Sequence, residues 1–326
     1  MKFVIVLIAA LLASPLVANE LRPEYDAPDL KGDFEITRKS YSHAGVDFVS
    51  HRILQHNSNW QVSLLTEKRN LPSDRLKQTQ LKAFVNETVA SLRKQGFTDL
   101  EADVTNIENF DAKAEIVVPL RMKRAEQTFL GEIRVRFTNL GHRYLLLAKD
   151  ADQLQAAQRV CAAISPVQDN SWVDAANMQV ANGKVHRPKG GRFAIKIPTE
   201  FKVTEESTTD KDGRKWLTVQ SPDVTFRLYS VDELKSAASL YEEALAADKA
   251  NGFPRNSLGN FKLERAGRVY YRFDEINDGK FSSTYAADAS KGVFGVLVEF
   301  KGVLAYCNNI PLLDAIVGSL VLQEAD

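Results

Sequence analysis

The 326-residue chain holds only two cysteines, three methionines, three tryptophans and five histidines, and its 42 Lys and Arg balance 42 Asp and Glu. Two cysteines exclude a small disulfide-stapled scaffold. A net charge of zero excludes the basic composition of a dedicated nucleic-acid binder, so no nucleic-acid partner is expected. Apolar residues at 44% and charged residues at 26% exclude a disordered or collagen-like polymer. Beyond the first twenty residues no apolar run approaches the roughly 20 residues of a membrane-crossing helix.

Catalytic and cofactor signatures are missing as well. The chain has no Gly-x-Ser-x-Gly elbow, no phosphate-binding glycine loop and no Gly-x-Gly-x-x-Gly opening a helix. No catalytic residue and no cofactor is therefore nominated. His43, His51 and His56 are spaced 8 and 5 apart, which fits no common metal-ligand pattern, and they read as exposed histidines near a strand end. His142 follows Gly141 and reads as a turn residue. Asp274, Asp278 and Gly279 superficially resemble a calcium loop, but Ile276 and Tyr285 stand where oxygen ligands are required, so a hairpin is expected.

What is present begins at the N-terminus. Lys2, the apolar run Phe3 to Leu12 and the small residues leading to Ala18 have the plan of a secretory signal peptide, residues 1–18. Cleavage near Ala18 would leave a periplasmic or secreted chain with no transmembrane segment. In an oxidising compartment Cys161 and Cys307 could form one disulfide; alternatively each packs as a small hydrophobe.

The remaining chain reads as a weak internal repeat. Strands at Val46–Leu54 and Trp60–Thr66 precede a helix opened by Pro72 and Ser73, with Leu81, Phe84, Val85, Val89 and Leu92 on one face. Gly96 offers a left-handed cap. Strands at 114–123, 130–138 and 143–148 lead to a second helix after Asp150. In the second half, strands at 192–197, 216–220 and 224–230 flank an Asp212-Gly213 turn. A helix over about 233–250 carries Leu234, Ala238, Tyr241 and Leu245, with a capping-box spacing at Ser239 and Glu242. Four strands follow, and then a closing helix started by Pro311. Gly96 to Gly252 and Ile164 to Leu320 are both offsets of 156. The expected fold is α+β: two tandem similar domains, 19–165 and 191–326, joined by a polar linker at 166–190. Each would be an antiparallel sheet packed with a long helix and a closing helix.

The segment Gly191-Arg-Phe-Ala-Ile-Lys-Ile-Pro-Thr-Glu-Phe-Lys-Val, with the Pro311 to Leu322 tail, resembles PsbP-like and DcrB-type exported domains over residues 190–323. The first half matches by topology alone. The resemblance implies an accessory exported protein and transfers no active site.

One surface feature suggests a partner. Arg121 and Lys123 alternate with apolar residues in one predicted strand, and Arg134 and Arg136 do so in the next. Paired strands would put these four cations on one face, suited to an anionic surface or another envelope protein. The expected function is a non-enzymatic binding or accessory module of the cell envelope. The alternatives are a hydrolase or a small-ligand carrier with a site in the groove between the domains.

Overall fold

The computed structural model describes residues 21–104, 107, 110–187, 193–206, 215–231, 235–251, 256–265, 267–289 and 292–322. The expected signal peptide and the Asp212-Gly213 turn lie outside them. The chain divides into two compact units, with the boundary between Asp169 and Asn170. No helix among the described residues is long and apolar enough to cross a membrane.

The first unit runs β1 (Tyr25–Asp26), β2 (Phe34–His43), β3 (Val46–Gln55), β4 (Trp60–Lys68), α1 (Asp74–Lys94), β5 (Thr98–Ala102), β6 (Ile116–Arg124), β7 (Gln127–Phe137), β8 (Gly141–Ala148), α2 (Ala151–Ala162) and β9 (Ser165–Pro166). Seven strands form one antiparallel sheet in the order β2-β3-β4-β8-β7-β6-β5. The chain leaves β4, beside the central β8, and re-enters at the far edge, about four strand spacings or 19 Å away. Helix α1, with 21 residues, is about 31 Å long and covers that distance. The Ser73 side chain accepts from the Leu76 amide at its start. At its end Gly96 takes φ +87° while the Phe97 amide bonds the Leu92 carbonyl. Asp150 caps α2 by accepting from the Gln153 amide at 2.9 Å.

Side-chain parity decides the layers. Leu81, Phe84, Val85 and Leu92 of α1 pack on Val118, Leu120, Met122, Ile133 and Val135. Ala157, Val160 and Cys161 of α2 pack with Ile53, Val62, Leu64, Tyr144 and Leu146. In β8, residues 145 and 147 join the first cluster and 144 and 146 the second, so the two helices cover opposite faces. Leu21, Tyr25, Ala27 and Leu30 complete the α2 face as a strap, held where β1 pairs with β9.

The second unit contains α3 (Ser171–Ala181), β10 (Lys184–His186), β11 (Phe193–Ile197), β12 (Lys202–Glu206), β13 (Lys215–Gln220), β14 (Val224–Val231), α4 (Ala237–Asn251), β15 (Ser257–Arg265), β16 (Arg268–Asn277), β17 (Lys280–Asp288), β18 (Val293–Phe300), α5 (Val303–Gly318) and β19 (Val321–Leu322). Its sheet has the order β12-β13-β14-β18-β17-β16-β15, the same as the first when read along the chain. The match extends further. β11 pairs with β19 after the closing helix, as β1 pairs with β9. The α4 face gathers Tyr271, Ala286 and Val293, whereas the neighbouring Arg272 and Tyr285 point to Asp314 of α5, so these helices also take opposite faces.

Four expectations need correction. The segment 166–190 contains α3, packed on α5, and β10, paired with β11; it is a folded part of the second unit wherever it is described. Pro311 lies inside α5, which starts after Gly302 at φ +95°. Its ring removes the amide that would bond the Cys307 carbonyl, but it does not start the helix. Helix α4 begins at Ala237, where Ser236 Oγ accepts from the Ser239 amide and Asp288 accepts from the Ala237 amide. The segment Phe34–His43, not read as a strand, is the ten-residue edge β2.

Candidate functional site

A groove of about 360 Å³ lies on the α1 face of the first unit. The register builds its floor as two rows running inward from the edge strand. Lys39, Ser50, Leu65 and Arg143 form one row, and Thr37, Arg52, Ser63 and Leu145 the other. The last turns of α1 supply the wall through Glu87, Thr88, Ser91 and Leu92. The helix ends in Arg93 and Lys94, cations that suit a helix C-terminus.

Two of the three cations in the groove differ from the third. Arg143 is committed: it donates to the Phe84 carbonyl at 3.0 Å and Thr88 Oγ1 at 2.9 Å, stands 3.7 Å from Glu87, and lies over the Phe84 ring. Burial pulls its guanidinium below the ordinary value, and Glu87 opposes that. Lys39 and Arg52 are exposed and have no ion pair among the described residues; Arg52 donates to Gln61 at 2.9 Å. The groove therefore offers hydroxyls and two accessible cations beside the apolar side chains of Leu65, Leu92 and Leu145.

The opposite face of the same strands carries a buried polar cluster. Glu24 on the strap stands 3.3 Å from Arg38, 3.3 Å from Lys68 and 3.9 Å from His51. Next to it, Thr66 donates to Tyr25 Oη at 2.8 Å and meets His142 Nδ1 at 3.3 Å, and Thr138 meets His142 Nε2 at 3.1 Å. Tyr25 packs edge-on to His51 and His142, at 5.6 and 5.4 Å between centroids. Burial, helped by Lys68 and Arg136, pushes His142 down to about 3, and burial raises the Tyr25 phenol. The reading of His51 as exposed and of His142 as a turn residue is thus overturned. Both are buried strand residues, because the strap covers their face. Among the described residues no group of His, Cys, Asp or Glu could hold a metal ion.

The four cations of the expected stripe do share one sheet face, since Val117 pairs with Arg134 and Arg121 with Leu130. They do not form a free cationic surface. Arg134 is bound by Glu115 at 3.0 Å and Glu132 at 2.7 Å. Arg136 is bound by Glu115 at 2.7 Å and donates to the Ile164 carbonyl at 2.6 Å. Lys123 pairs with Asp99 at 3.0 Å, and Arg121 is exposed. Cys161 and Cys307 are unbridged thiols, each buried within its own unit, which does not bear out the candidate disulfide.

The groove residues escaped the sequence reading. The one available signal was β2 itself, where Phe34 and Ile36 give way to an all-polar run with two cations, a pattern that reads as loop. No known protein family and no curated protein matches the chain. Among solved structures, immunity protein TplEi of T6SS from Pseudomonas aeruginosa is 13% identical, with 89% of this chain and 98% of that one covered and a TM-score of 0.27. The Tle4-Tli4 complex gives 13%, 85%, 96% and 0.27. MucB in complex with MucA(peri) gives 13%, 96%, 100% and 0.20. These scores fall short of a shared fold.

Proposed function

We propose that this chain is an exported accessory module that holds a partner protein through the groove of its first unit. The observation that carries this reading is the division of labour between the two faces of the sheet. Lys39 and Arg52 are accessible in the groove and make no ion pair among the described residues. In the first unit the groups with strong shifts, Tyr25, His142 and Tyr144, sit in the packed interior beneath the strap and α2, away from the groove. Catalysis calls for perturbed groups converging on an open cleft, and a carrier of apolar ligands calls for an apolar cavity. Accessible cations beside hydroxyls favour recognition of another macromolecule's anionic surface. The PsbP-like reading of residues 191–326 belongs to the same proposal, supported by the opening strand Phe193–Ile197 and the closing helix α5.

The test is site-specific photocrosslinking in the exporting cell. A benzophenone residue at Ser91 in the groove should give one discrete protein adduct, lost when Lys39 and Arg52 are both changed to Glu. The same probe at the exposed Met178 of α3 should not give it. Identical adducts from both positions, or none from Ser91, would end the proposal.

A further inference from the structure

Strand β2 ends the sheet with a ten-residue edge, of which eight residues are exposed. Such an edge presents unpaired backbone donors and acceptors, the template for an added strand. Its residues Thr37, Lys39, Tyr41 and His43 alternate on the groove face. Tyr41 is 48% exposed and stacks flat on Phe48 at 5.2 Å, so an aromatic surface stands beside the cation. Arg52 lies directly across from Thr37, one strand inward. Among the described residues Lys39 and Arg52 make no ion pair, and the acid of β2 that shares their face, Glu35, lies outside the groove lining. The acid in the wall, Glu87, is turned to Arg143.

Resting on the binding function proposed above, we infer that the occupant is an extended acidic segment of the partner, which pairs with β2 as an eighth strand. Its alternate carboxylates reach Lys39 and Arg52. Main-chain hydrogen bonds along β2 hold the segment, and the two cations select its charge. A residue placed beside Thr37 sits about 10 Å from the Arg52 backbone, two strand spacings, within reach of a guanidinium meeting a carboxylate.

The test uses a fluorescein-labelled decapeptide of alternating Glu and Val and the chain without its first 18 residues, at low salt. Alternating Lys and Val is the charge control, and the Glu-Val peptide N-methylated at alternate amides is the backbone control. The Glu-Val probe should bind by anisotropy and slow hydrogen exchange at β2 amides. The double variant Lys39→Glu, Arg52→Glu should weaken it by about tenfold or more. N-methylation should weaken it comparably while leaving the protein untouched, so a folding defect cannot imitate the result. Equal binding of the Lys-Val probe, or no binding of the Glu-Val probe, overturns the inference. So does indifference to N-methylation. If the Ser91 adduct persists while the decapeptide fails, the groove still binds a partner and the strand-addition inference alone falls. If both fail, the functional reading falls with it.

Discussion

Six residues before the end of its last sheet strand, the first unit places His142 and the second places Phe294; one residue later the pair is Arg143 and Gly295. The register supports this matching: Trp60 faces Ala148 as Val224 faces Phe300, each the first residue of one strand against the last of its neighbour. Offsets of 164 and 152 on those strands, against 156 at the helix ends, mean that turns changed length while strand order did not. The first unit packs Tyr25 of its strap edge-on to His142; the second packs Phe193 edge-on to Phe294 at 4.9 Å. Beneath the closing helix the first unit has Glu132 and Arg134, where the second has Ser283 and Tyr285. One architecture accommodates a polar filling in one place and an apolar one in another, provided each donor keeps an acceptor.

The sharpest contrast lies beneath the closing helices. In the second unit Arg272 binds Asp314 through two contacts of 2.8 Å and stands 3.1 Å from Asp274, with Phe261 beneath it. Ser283 and Tyr306 donate to Asp274 at 2.6 Å each, and Tyr285 donates to Asp314 at 2.7 Å. The Arg272 side chain is 4% exposed, whereas Arg134 in the first unit is 15% exposed. Arg272→Leu therefore takes the cation from the fully buried Asp274 and the partly buried Asp314 and should cost about 3–5 kcal/mol. Arg134→Leu leaves Glu132 its bond from Gln158 and Glu115 its pair with Arg136, and should cost about 1 kcal/mol. Urea denaturation with hydrogen exchange resolved by unit measures both. Equal costs would erase the distinction between a sealed network and a rim network.

The second contrast is in pH. His142 is held neutral in the folded chain down to about 3, against 6.5 in the unfolded chain. The unfolded state gains a proton first as pH falls, so stability present above 6.5 is lost progressively between 6.5 and 3. By pH 5 the loss is about 2 kcal/mol. It should be confined to the first unit, because Phe294 holds the matching position in the second. His142→Gln should flatten the slope between pH 7 and 5. An unchanged slope would assign the effect elsewhere.

The elements legible in the sequence were those with a cap, a period and a buried face. Ser73 with Leu81, Phe84, Val85 and Leu92 announced α1, and Asp150 with Val160 and Cys161 announced α2. Edge strands β2 and β5 have few neighbours to bury against, so their residues carry no alternation strong enough to read. In α3 only Ala176 and Val180 are buried, too few for a visible period. The groove was illegible for another reason: its floor comes from four strands spanning residues 37 to 145, brought into rows by register alone. The burial of His51 and His142 depended on a strap whose contacts are distant in sequence.

A third test concerns the groove position itself. Tyr229 lies over Gly295, where a Cβ would stand 2.2 Å from the ring, whereas the first unit puts Leu65 beside Arg143 at the matching pair. Gly295→Ala should displace the Tyr229 ring and cost about 1 kcal/mol, the low end for overpacking because the ring is only half-buried. Tyr229→Leu in the same chain should restore the loss by recreating the small partner of the first unit. Failure of that rescue would mean the backbone at Gly295, rather than the ring, sets the constraint.

The smallest effect separates the two closing helices by their thiols. Cys161 lies near the end of α2 and Cys307 near the start of α5, so the two are not matched positions of the repeat. Burial pushes the Cys161 thiol up to about 11, against the partial pull of Arg136 and Arg134. A thiol that stays protonated and enclosed is a poor nucleophile. In the native protein at pH 8, iodoacetamide should leave Cys161 unmodified over hours, and unfolding without reductant should release two reactive thiols. Rapid labelling of native Cys161, or no thiol in the unfolded chain, would show that the helix faces are not the sealed hydrophobic contacts that make the two units alike.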